Sequence, residues 1–186
     1  MVVIKSNKSW FILLLGIFIV PIMAISPVQE YSEYEVKAAF LCNFAKFIEW
    51  PDDAFKSEDA PFVIGIIGKD PFGNILERTL KGRTLQNKKC KILRFNNSND
   101  LDDCHMLFVS SSQQANITRI IAYLKGKHTL TVGDNIEQFC QRGGIINFST
   151  KRSRYGFEIN KNSAQHSKLV ISSKLLALAQ IVEESK

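Results

Sequence analysis

Apolar residues recur every three or four positions in EYEVKAAFLCNFAKFIEWP, Glu33 to Pro51, where Val36, Phe40, Phe44 and Phe47 share one helical face. That period predicts a helix whose aromatic stripe faces the core. Trp50-Pro51 forms its exit, because proline brings no backbone N–H to continue a helix. On the same wheel Cys42 lies about 200° from Phe40, off the stripe. The period then changes. PFVIGIIG, Pro61 to Gly68, is a short β-branched apolar run closed by glycine, the pattern of a strand buried on both faces. KDPFGNILERTL predicts a helix with Asp70 as N-cap, Pro71 at its first position and Ile75, Leu76 and Leu80 inside.

Strands CKILRF (Cys90 to Phe95) and CHMLFVS (Cys104 to Ser110) follow, then a helix from about Gln113 to Leu124 burying Ile117, Ile120, Ile121 and Leu124. TLTV reads as a strand, IEQFCQRGG as a helical turn stopped by Gly143 and Gly144, and IINFS as a strand. KRSRYG is a turn, FEIN an antiparallel return strand, and SKLLALAQIVEES a C-terminal helix capped by Ser172. Strand and helix alternate through most of the chain. The expected fold is therefore α/β: one sandwich with a mostly parallel sheet, an antiparallel hairpin at one edge and helices on both faces.

The N-terminal segment stands apart from this alternation. Lys5 and Lys8 precede an unbroken apolar run from Trp10 to Ile25, WFILLLGIFIVPIMAI, with small residues at Ala24 and Ser26. The run is shorter than the ~20 residues a membrane span needs and contains Pro21, so residues 1–24 are expected to be a secretory signal peptide and 25–186 a single domain. The expected location is the periplasm. Removing Lys5 and Lys8 lowers the formal net charge from +6 to +4. The basic clusters NKKCKILR and KRSR lack interleaved aromatics and read as solvated turns, so nucleic acid is not an expected partner.

Export makes disulfides the first question for Cys42, Cys90, Cys104 and Cys140. Cys90 and Cys104 each begin a strand, and if those strands are neighbours their Cα atoms fall within the about 4.4–6.8 Å of a disulfide, so this pair is the expected bridge. Such a loop closure contributes on the order of 3 kcal/mol. Cys42 and Cys140 are left as a second or redox-active pair, as free thiols, or as a bridge between molecules. His105, His128 and His166 are scattered and no Cys-x-x-Cys occurs, so neither metal nor cofactor is expected.

Catalytic patterns are equally sparse. The first strand–helix turn, GIIGKDPFG, matches no phosphate-binding loop, and Asp70 would repel a phosphate there. Ser110 to Ser112 follow a strand but lack the flanking glycines of a nucleophile elbow, and no histidine is placed by sequence to activate them. The chain is not expected to be an enzyme. A hydrolase using Ser110 to Ser112 or His105 is the enzyme-class alternative.

EVKAAFLCNFAKFIEWP, FVIGIIGKDPFG, CKILRF with LDDCHMLFVSSS, LTVGDNIEQFCQRGGIINF and FEINKNSAQHSKLVISSKLLALAQIV, in this order, resemble the YfiR-like family of bacterial periplasmic proteins. The resemblance runs from about Tyr34 to Val182. It implies a Rossmann-like sandwich without the nucleotide turn and a regulator rather than an enzyme: a repressor of an inner-membrane diguanylate cyclase, acting through the cyclase's periplasmic sensor domain. Control of cyclic-di-GMP and biofilm formation would follow, with release under envelope or redox stress. Homodimerisation is a family expectation, and partner-contact residues are not assigned. Cys42 stands where relatives often carry Tyr in YNFAKF. The alternative function is an exported small-ligand binding module with its pocket at the carboxyl ends of the parallel strands.

Overall fold

The computed structural model describes residues 31–98, 101, 104–151 and 154–183, with α1 at Glu33–Phe47. The segment expected to be a signal peptide lies outside the described residues, as do Asp102 and Asp103. Helix α1 begins at a capping box: Ser32 Oγ accepts from the Glu35 N–H, and Glu35 Oε2 accepts from the Ser32 N–H at 2.8 Å. The Ser-x-x-Glu spacing makes the two bonds reciprocal, so this end is fixed by sequence.

Helix α1 buries Ala38, Leu41, Cys42, Phe44 and Ala45. The expected stripe on Phe40 and Phe47 is therefore rotated. Phe40 sits half-buried at the margin, edge-on to Phe148 and Phe157, and Phe47 is 37% exposed. Small Ala38 and Ala45 sit where the helix packs, and the bulkier rings flank that line. Helix α1 also ends three residues earlier than expected, since Ile48–Glu49 form a strand, β1, paired antiparallel with β9, Val170–Ile171.

The main sheet contains β2 (Phe62–Ile67), β3 (Thr84–Leu85), β4 (Lys88–Phe95), β5 (Met106–Val109), β6 (Leu130–Asp134), β7 (Ile146–Lys151), β8 (Arg154–Asn160) and β10 (Gln180–Val182). Their order across the sheet is β10-β8-β7-β6-β5-β2-β4-β3. Pairing is parallel from β4 through β2, β5 and β6 to β7, antiparallel in the β7–β8 hairpin, and parallel again between β8 and β10. This is the expected α/β class. One core contains Leu41, Phe44, Ile64, Phe72, Leu76 and Leu175, and so joins α1, α2 (Ile75–Leu80) and α5 (Ser173–Leu176) to one sheet face. A second core packs α3, Ile117–Leu124, with Leu107, Val109 and Phe139, and the short α4, Lys161–His166, follows β8.

Three local expectations change. The segment expected as a C-terminal helix holds only one helical turn, α5, before β10 pairs with β8 in the register Ile181↔Ile159. Local helix propensity loses there to an open strand edge, which the β-branched Ile181 and Val182 suit. Asp70 is not a helix cap; its Oδ1 accepts from the Phe72 N–H at 2.8 Å in a turn, and α2 starts only at Ile75. Residues Ser111–Asn116 form a 3-10 segment ahead of α3. At Gly144 a Cβ would stand 2.3 Å from the Phe139 ring, a contact only glycine permits.

Candidate functional site

Trp50 is the residue that organises the amino ends of the parallel strands. Its indole N–H is shared between the carbonyls of His105 at 3.2 Å and His128 at 3.1 Å, just before β5 and β6. A buried indole needs an acceptor, and this one ties two strand entries together. Pro51 then turns the chain into a 3-10 turn, Asp52–Ala54, that runs beneath them.

His105 completes this end. Its Nδ1 accepts from the Val63 N–H at 3.0 Å, which leaves Nε2 to donate to the Ala54 carbonyl at 3.2 Å in the neutral tautomer. The ring stacks on Phe55 and Phe62, with centroids 4.5 and 5.3 Å away. Both nitrogens are thus engaged with backbone. The serines lie at the other end of β5, roughly 16 Å along the strand by its rise per residue. Ser112 Oγ donates to Ser110 Oγ at 3.1 Å and accepts from the Lys69 N–H. The hydrolase alternative does not assemble from these groups.

Beside His105 lies a cavity of about 470 Å³. Its floor is Pro61, Val63 and Leu93, and its walls include Lys56, Lys91, Lys127 and His128. The carboxylate lining it, Asp53, faces His128 Nε2 at 3.3 Å and Lys168 Nζ at 3.4 Å. Lys127 Nζ rests 3.7 Å from the Tyr123 ring centroid. The cavity expected at the carboxyl ends of the strands is therefore found at the amino ends. The carboxyl end of β6 is filled instead: buried Asp134 accepts from Lys37 Nζ at 2.5 Å and from the Tyr34 hydroxyl at 3.3 Å.

All four cysteines are free thiols. Cys90 and Cys104 are not on neighbouring strands, because β2 intervenes between β4 and β5. Two strand spacings, about 10 Å, exceed disulfide reach, so the expected pair is corrected. Cys42 and Cys140 belong to the two different cores on opposite faces of the sheet, which rules out the second pair as well. Cys104 lines the cavity; its Sγ occupies the space a side chain at Gly65 would fill and donates to the Met106 carbonyl. Burial pushes its thiol up to about 12, and pushes Cys140 and Cys42 up too. Half-buried Cys90 is raised by burial and by neighbouring Cys42. Among the described residues no group of three His, Cys, Asp or Glu converges to hold a metal, and no helix is long and apolar enough to cross a membrane.

Sequence reasoning missed Lys37, Asp134, Lys56, Lys127 and His128 as site-forming residues. Lys56 and Lys127 sit in loops, where no periodicity marks them. Lys91 was visible inside CKILRF, which forms the expected strand, whereas the longer cluster NKKCKILR, expected as a solvated turn, belongs largely to β4.

Among the described residues this α/β sandwich shows no assembled catalytic group, and lysines line the cavity at the amino ends of its strands. Residues 34–180 match the YfiR/HmsC-like family, and the chain belongs to it. That family groups regulatory proteins of the periplasm with a cyclic-di-GMP theme. Among curated proteins none is significantly similar in sequence. A crystal structure of a conserved domain protein from Vibrio cholerae O1 biovar El Tor strain N16961 is similar in fold, with a TM-score of 0.56 and 12% identity. The match covers 83% of this chain and 61% of that one, so this chain spans less than two thirds of its length.

Proposed function

We propose that this protein represses an inner-membrane diguanylate cyclase by binding its periplasmic sensor domain, and so sets cyclic-di-GMP and biofilm formation. The family match over residues 34–180 carries this reading. The surface supports it. Phe47, Val170, Leu178 and Ile181 are four of the exposed large apolar side chains, and all belong to the end of α1 or to residues 170–181. Val170 pairs opposite Glu49, and the Phe47 carbonyl accepts from the Ser172 N–H at 2.9 Å, so the first two are neighbours. Strand β10 also forms one edge of the sheet, where unpaired backbone groups suit a partner strand.

Deleting the gene in its host should raise cellular cyclic-di-GMP. Complementation with the full chain should restore it, and a version starting at Ile25, without the export segment, should not. An unchanged level, at rest and under oxidising stress, would refute repression by this protein.

A further inference from the structure

We infer that the open edge of β4 is a docking site for an acidic, extended peptide segment of a partner protein, which joins the sheet there as a further strand. The inference does not rest on the cyclase reading. Strand β3 pairs with β4 only through Thr84↔Lys89 and Leu85↔Lys88, and among the described residues no strand pairs with that edge from Cys90 to Phe95. Every second residue of this stretch turns its N–H and C=O away from β2, so the edge offers backbone donors and acceptors over about 20 Å. Main-chain pairing of this kind gives extended peptides their affinity, and the side chains around the edge choose among them.

Charge selects the occupant. An open groove of about 890 Å³ follows this edge, lined by Lys81 and Arg83 from the connection between α2 and β3 and by Lys89 and Lys91 of β4. All four are exposed, and none forms an ion pair among the described residues. The carboxylate in the lining, Glu77, is already held by Arg94 at 2.7 Å. Leu80 and half-buried Ile92 add apolar surface, so a strand that alternates acidic and apolar residues finds complements for both. A second copy of this chain fits poorly, because two β4 edges side by side would set Lys89 and Lys91 against the same cations. The lining holds no aromatic ring on which a base could stack, which disfavours single-stranded nucleic acid.

The test is fluorescence anisotropy on the purified full-chain protein with a labelled decapeptide alternating Glu and Val. It should bind saturably, and the same peptide with Gln in place of Glu should bind about tenfold more weakly. Methylating alternate backbone nitrogens of the acidic peptide keeps its charge but removes the donors of one edge, and should weaken it to a similar degree. Lys89 and Lys91 are exposed, so Lys89→Glu combined with Lys91→Glu should leave the melting temperature in place while weakening the acidic peptide about tenfold. Arg83→Glu, from outside the strand, should weaken it about threefold. Equal affinity for the methylated peptide, or for an oligothymidylate, would mean a general polyanion surface and overturn strand addition. Equal affinity for the Gln peptide would overturn the charge selection. No saturable binding, or full affinity in both variants, would overturn the inference entirely.

Discussion

The two ends of the parallel sheet are built on opposite principles. At the carboxyl ends, where open α/β sheets ordinarily receive ligands, α1 presents Lys37 to Asp134 and closes the space with an ion pair only 3% and 4% exposed. At the amino ends the same helix hands over to Trp50, which ties strand entries together but leaves a cavity beside them. One helix thus spans the sheet, sealing one end and framing the other. The difference teaches that a cavity forms where side chains leave room, and strand polarity alone does not locate it.

The largest expected break of that comparison is at the sealed end. Lys37 also holds Glu33 at 2.5 Å and lies 4.8 Å from the Tyr34 ring centroid, so its ammonium is enclosed by partners. Lys37→Met would strand the Asp134 carboxylate in the interior and should cost about 3–5 kcal/mol in urea unfolding. Adding Asp134→Leu should recover much of that loss, because an apolar pair demands no compensation. Burial alone would lower the Lys37 ammonium, but its hydrogen bonds to Asp134 and Glu33 outweigh burial and hold it above its ordinary 10.5. A group raised on folding contributes fully below its unfolded value and loses that contribution as pH climbs through the folded one. The stability gap between wild type and Lys37→Met should therefore hold from neutral pH up to 10.5 and shrink above it. A loss under about 1 kcal/mol at neutral pH would mean that the carboxyl end is not held by this pair.

A smaller effect is expected at the open end. Trp50→Phe keeps a ring beside Phe62, 5.0 Å away in the edge-on arrangement, but removes the N–H shared by two carbonyls. The His105 carbonyl keeps its bond from the Leu130 N–H at 2.9 Å, so the cost should be about 1–3 kcal/mol, less than at Lys37.

The alternation of apolar runs made the sheet legible, since β2 and β5 are short apolar stretches buried along their whole length, whose pattern survives any packing detail. What escaped depends on relations between distant segments. Neighbouring strands in sequence suggested a Cys90–Cys104 bridge, yet β2 lies between them, and no local signal reports a strand order. The face of α1 differs from the expected one because small Ala38 and Ala45 lie buried at the helix contact while Phe47 stays exposed. Asn147 sits in a glycosylation-type sequence, but its buried amide pairs with the N–H and carbonyl of Ile136, a role set by tertiary position. The cavity was invisible for the same reason: its lysines come from separate loops and from β4.

Asp53→Asn sharpens the comparison with the smallest change in stability. Its carboxylate is 64% exposed, so its contacts with His128 and Lys168 are surface pairs, and losing them should cost no more than about 1 kcal/mol. The same substitution removes the negative charge while retaining the side chain's shape and one acceptor oxygen. At the sealed end, removing a charge destabilises the fold; here it should barely touch folding. If Asp53→Asn were to destabilise the protein as strongly as Lys37→Met, the amino end would be a second seal, and the contrast between the two ends would collapse.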